Sequence, residues 1–185
     1  MLIAILSWGS LIWKPESLPF SRPWKEGGPT LSLEFSRITE ERPLTIVLDP
    51  DYGVPCPTRF AFSLRTHLAD AIADLKQREG TTEEHIGYID MQHDRSSIHE
   101  YPHQINVEAP IQQWCEQHQI PAAVWTAIPP NFSQCLGINF SVDGAMQYLK
   151  DLSVPQQEST LEYIRNTPEE IVTPLRREIE REWPA

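Results

Sequence analysis

No apolar stretch in this chain approaches the roughly 20 residues that a membrane-spanning helix needs. The opening Met1-Leu2-Ile3-Ala4-Ile5-Leu6 lacks the basic flank and cleavage region of a signal peptide. The expectation is a protein that stays in the cytoplasm and off the membrane. Basic residues are also scarce: 15 Lys and Arg stand against 26 Asp and Glu, for a formal net charge of −11. Nucleic acids and anionic lipid surfaces both need a basic face that displaces counterions. Neither is therefore expected as a partner; a small molecule or a protein is. The only cysteines are Cys56, Cys115 and Cys135. Their odd number and wide spacing exclude a disulfide framework and a CxxC metal knuckle, which leaves reduced structural thiols. The GxGxxG and GxxxxGKS/T patterns of nucleotide-binding loops and the GxSxG elbow of hydrolases are missing as well.

What is present is the composition of a globular protein, 40% hydrophobic and 22% charged over 185 residues, a length that fits one domain spanning 1–185. Strand-like runs recur at Leu2–Trp8, Thr30–Ile38, Leu44–Leu48, Thr58–Leu64, His85–Met91 and Ala122–Ala127, separated by Gly, Pro and Asp. Helical patterns cover Thr66–Glu79, Pro110–His118, Val142–Leu152, Glu158–Arg165 and Pro168–Trp183. The last two are rich in charge and read as solvated outer helices, part of a helical region that begins at about residue 140. The fold class is α+β: a curved mixed sheet or partial β-barrel with peripheral helices.

The segment Thr66–Glu79 has no Gly or Pro and stops at Gly80, a common residue just past a helix end. At about 100° per residue, Leu68, Ile72, Leu75 and Glu79 share one face, whereas Asp70, Asp74 and Gln77 lie opposite. Glu79 is thus the one acid on the stripe that should meet the core, where a carboxylate is costly unless paired or neutral. The dipole at a helix C-terminus raises a carboxyl pKa further, and a raised pKa suits a general base near neutral pH. The pattern alone leaves two alternatives open: Glu79 bends outward at the helix end, or it pairs with Arg78 or Arg65. A second feature is the turn Trp8-Gly9-Ser10-Leu11 after the first strand. Gly9 and Ser10 let backbone N–H groups approach a ligand without side-chain obstruction, a geometry that holds carboxylates or oxyanions.

The run Leu6-Ser7-Trp8-Gly9-Ser10-Leu11-Ile12-Trp13-Lys14-Pro15 resembles the opening segment of the γ-glutamylcyclotransferase-like family, in its ChaC and AIG2-like branch, with Trp8 where the family usually has Tyr. A second block, Ala71–Glu79 followed by Gly87-Tyr88, matches the family's order of a helix ending in an acid before a Gly-Tyr strand. The resemblance covers roughly residues 2 to 91. It implies that Glu79 is the catalytic acid/base, that Trp8, Gly9, Ser10 and Leu11 bind substrate, and that no metal or other cofactor is required. The implied reaction releases 5-oxoproline from a γ-glutamyl amine or peptide by intramolecular aminolysis.

Three further features bear on the reading. His93, Asp94, His99, Glu100 and His103 cluster in sequence, but Pro102 breaks the i, i+4 geometry that a His99/His103 metal pair needs, so a solvated loop is expected. Trp125 ends an apolar strand ahead of Pro129-Pro130, a place where large aromatics can wall a pocket; core packing is the favoured role for Trp125. Two alternatives to the enzyme stand beside it: a diverged, non-catalytic small-molecule binding module of the same fold, and a protein-interaction domain using the acidic helices of Glu158–Trp183. The oligomeric state is left open.

Overall fold

The computed structural model describes residues 1–41 and 43–184. In chain order its strands are β1 (Ile3–Ser7), β2 (Phe20–Lys25), β3 (Leu31–Ile38), β4 (Leu44–Leu48), β5 (Val54–Cys56), β6 (Arg59–Ser63), β7 (Ile86–Asp90), β8 (Arg95–Ser96) and β9 (Ala122–Thr126). The helices are α1 (Leu68–Glu79), α2 (Ser97–Glu100), α3 (Glu108–His118), α4 (Phe132–Leu136), α5 (Val142–Asp151), α6 (Val154–Asn166) and α7 (Pro174–Glu182). Two compact units result, each assembled from separate stretches of chain: Met1–Leu31 with Pro57–Ile128, and Ser32–Cys56 with Pro129–Ala185.

The first unit is organised by a six-stranded mixed sheet in the order β2-β6-β1-β9-β7-β8. All five residues of β1 are buried, as its unbroken apolar run requires of a central strand. It pairs antiparallel with β6 (Ile5 opposite Ala61) and parallel with β9 (Ile5 opposite Val124). Helix α1 covers the sheet over β9 and β7, burying Ala71, Ile72 and Leu75 against a core that includes Ile3, Ile5, Ile86 and Val124. Gly80 ends it in the left-handed conformation at φ 61°, and the Gly80 and Thr81 amides close onto the Gln77 and Lys76 carbonyls. A residue with a Cβ is strained there, so the helix stops one residue after Glu79.

Gly87 on β7 lies directly opposite Trp125 on β9. A Cβ on Gly87 would come within 2.1 Å of the Trp125 indole, which is itself buried. The Gly-Tyr pair at the start of β7 therefore has a packing reason: the glycine makes room for the ring. Gly87→Ala is expected to destabilise the protein by about 1–3 kcal/mol or more through overpacking. Chemical denaturation checks this, and an unchanged midpoint would mean that the indole does not rest on the strand.

The second unit holds a three-stranded sheet in the order β4-β3-β5, with β3 and β4 antiparallel and irregular between Glu34 and Arg37. Helices α4 to α7 complete it. The expected mixed sheet is present, while no closed barrel forms among the described residues.

Several sequence expectations require correction. Strands β2, β5 and β8 were not expected. β2 contains Pro23 and is mostly exposed at the sheet edge, and β5 and β8 have three and two residues, too few for a periodic signal. The short helices α2 and α4 fall in stretches read as loop. Helix α6 begins at Val154, four residues before the expected Glu158, because Pro155 is tolerated in a first turn and Ser153 with Gln156 forms a capping box. Helix α7 begins at Pro174 and not at Pro168, since the Thr173 hydroxyl accepts the Arg176 amide at 3.2 Å and sets the start. Neither is a solvated rod. α6 buries Thr160, Leu161 and Ile164, and α7 buries Leu175, Arg176 and Ile179. The Arg176 guanidinium, buried at 4% exposure for the residue, donates to the carbonyls of Pro168 and Ile171 and to Glu180.

Candidate active site around Glu79

β1 and β9 run parallel side by side, so both deliver their C-terminal ends to one edge of the sheet. From β1 emerges the Trp8–Leu11 turn; β9 ends at Thr126. In the turn, Gly9 O accepts from Ile12 N at 3.0 Å and Ser10 O from Lys14 N at 2.7 Å. A turn closed by its carbonyls in this helical sense points its leading amides the other way. The side chains of Trp8 and Leu11 are buried, and Leu11 belongs to the core of the unit. Gly9 and Ser10 are half-buried.

The last turn of α1 reaches the same place. Glu79 keeps 15% of its side-chain surface exposed and Arg78 only 8%. Arg78 Nη1 donates to Glu79 Oε1 at 3.0 Å, while its Nη2 donates to Ser10 Oγ at 3.2 Å and to Lys14 O at 2.6 Å. One guanidinium thus ties the carboxylate to the turn, as its planar fork of donors permits. Of the two alternatives for Glu79, the outward bend is not adopted, and the pairing is with Arg78. Arg65 is engaged elsewhere, donating to both carboxylate oxygens of Asp74.

Burial pushes the Glu79 carboxyl above the usual carboxylate range. The Arg78 cation and a hydrogen bond with the Thr126 hydroxyl oppose the shift, and the charge of Glu16 adds to it. Desolvation outweighs the ion pair, so the net shift is upward while the contact with Arg78 is kept.

Thr126 is the site residue to which sequence reasoning assigned no role, and Arg78 was named only as one alternative partner of Glu79, not as its link to the turn. Adjacent residues of a helix point in different directions, so Arg78 fell outside the face analysis that singled out Glu79. The position of Thr126 depends on the nonlocal β1/β9 pairing, for which the sequence carries no local signal.

The other candidates do not join this site. His93 Nδ1 lies 2.8 Å from Asp90 Oδ2, His103 Nε2 is 3.6 Å from Glu84, and Glu100 pairs with Arg95. Among the described residues, no group of three or more His, Cys, Asp or Glu converges as a metal centre would require. Trp125 packs on Gly87, in keeping with a core role. All three cysteines are free. Cys56 and Cys115 are buried, whereas Cys135 is exposed and so does not fit the expected structural role. No helix is long and apolar enough to cross a membrane among the described residues. Compared with protein-family models, curated proteins and solved structures, the chain matches none.

Proposed function

We propose that this protein is a γ-glutamylcyclotransferase-like enzyme that converts a γ-glutamyl amine or peptide into 5-oxoproline and the free amine. The observation that carries the reading is the junction of Glu79 with the Ser10–Lys14 turn through Arg78. It brings the acid and the turn, separate in sequence, to one place. The largely buried position of Glu79 also weighs against the protein-interaction reading, which needs that residue at the surface.

In the reaction, the substrate's α-amine nitrogen bonds to its own γ-carbonyl carbon, and the γ-amide C–N bond breaks. Because both reactants belong to one molecule, the protein's task is to hold the ring-closing conformer and to move protons. Glu79 takes the proton of the attacking amine and returns it to the leaving nitrogen, so it is regenerated in each cycle. The amides of Gly9, Ser10 and Leu11 hold the substrate carboxylate or the developing oxyanion. Arg78 orients the acid against the turn.

A panel of γ-glutamyl amides and peptides, assayed for 5-oxoproline and for released amine, tests the proposal. Equimolar formation of both from at least one substrate is the expected result. Absence of turnover across the panel, with small carboxylates still bound, would replace the enzyme by the diverged binding module.

A further inference from the structure

A cleft of about 220 Å³ lies within the second unit, between the loop joining β4 to β5 and the segment around α4. Asp49 and Ser36, both almost fully buried, line it, and the aromatic rings of Tyr52, Phe132 and Phe140 supply much of its wall. Phe140 links the other two, with ring centroids 5.5 Å from Tyr52 and 5.2 Å from Phe132. Tyr52 and Asp51 are exposed.

Asp49 has a structural duty. Its Oδ1 accepts the amides of Asp51 at 3.0 Å and Tyr52 at 2.9 Å, which shapes the loop, and its Oδ2 accepts the Ser36 hydroxyl at 2.6 Å. All three donors are neutral, however, and a carboxylate offers about four acceptor positions, so Oδ2 retains one. A buried carboxylate without a cation is costly. The described lining contains a second carboxylate, Asp51, but no Lys, Arg or His. Aromatic faces add negative potential of their own and attract organic cations. The polar lining is completed by the neutral side chains of Ser133, Asn131 and Gln134, so the only formal charges of the described lining are the two carboxylates, which together with the aromatic rings favour an ammonium group with an apolar body over an anion. The remaining acceptor position on Oδ2 selects an ammonium that still carries N–H donors over a quaternary one.

We infer that this cleft is a binding site for a small primary amine, its ammonium directed to Asp49 and its carbon chain against Tyr52 and Phe140. The site is independent of Glu79 and does not rest on the proposed reaction.

The test is titration with n-butylammonium, followed by calorimetry and by the backbone amide resonances of Asp51, Tyr52 and Phe140, with n-butanol and tetramethylammonium as comparison probes. The primary amine is expected to bind and shift these resonances, with butanol and tetramethylammonium markedly weaker. Asp49→Asn keeps an acceptor for the two loop amides but removes the charge, and should weaken binding about 10–100-fold. Tyr52→Ala, at an exposed position, should weaken it about 2–5-fold and decides the matter even if Asp49→Asn does not fold. Equal binding of butanol, no shift of these resonances with the amine, or undiminished affinity in folded Asp49→Asn or in Tyr52→Ala would overturn the assignment.

Discussion

Glu79→Gln is expected to lower turnover of any γ-glutamyl amide that the parent protein converts by about 10²–10⁴-fold, the usual contribution of general acid/base catalysis. Gln keeps the size of the side chain and an oxygen to accept the Arg78 guanidinium, but it cannot carry the proton between amine and leaving nitrogen. Binding of 5-oxoproline should persist, because in this reading the turn at Gly9 and Ser10 holds the anion. The pH dependence of stability supplies an independent check. The folded-state pKa of Glu79 lies above its unfolded value, so between the two the native state binds the extra proton. Its contribution to stability is full below the ordinary carboxyl pKa and is lost as pH rises through the folded value. Denaturation of parent and variant across that window should show the parent losing stability relative to Glu79→Gln. Turnover near the parental level in the variant would exclude Glu79 as the proton carrier, whatever the stability data show.

Leu75→Ala should cost about 2–5 kcal/mol, the range for truncating a buried leucine to alanine. Leu75 is fully buried one turn before Glu79, in the core shared with Ile72, Ile86 and Val124. Its removal loosens the half of α1 that carries both Arg78 and Glu79 to the turn, so the proposed turnover of γ-glutamyl amides, where the parent shows it, should become more sensitive to temperature. Leu75→Met, nearly equal in volume, should cost less than about 1.5 kcal/mol and keep activity. Urea denaturation measures both, the midpoint falling in the alanine variant with little change in slope. A shift in Leu75→Ala within about 0.5 kcal/mol, the size of an ordinary surface substitution, would contradict the packing of α1 on the sheet.

The parts of the structure that the sequence announced are those built on short-range periodicity. The apolar run of β1, the face Leu68-Ile72-Leu75-Glu79 and the stop at Gly80 each follow from residues within a few positions of one another. What stayed hidden depends on distance along the chain. The parallel pairing of Ile3 with Ala122, which brings Thr126 beside the turn, has no local signature. The division into two units was equally illegible, since each is discontinuous and no linker marks a boundary. Arg78 was visible as a neighbour of Glu79, but its bonds to Ser10 and Lys14 are set by tertiary approach. In the C-terminal third, charge density suggested full solvation, and the burial of Arg176 overrides it because backbone carbonyls and Glu180 satisfy its donors.

The place of β1 in its sheet also bears on how the chain is made. Its partner on one side, β6, is synthesised about a third of the way through the first unit's residues, and its parallel partner β9 only near their end. At roughly 5–20 residues per second of translation, β1 waits several seconds with an unfilled hydrogen-bonding edge and an apolar surface. Nascent chains halted before Ala122 should therefore be held by chaperones or aggregate, whereas chains that have released β9 from the ribosome have every strand of the six-stranded sheet within reach.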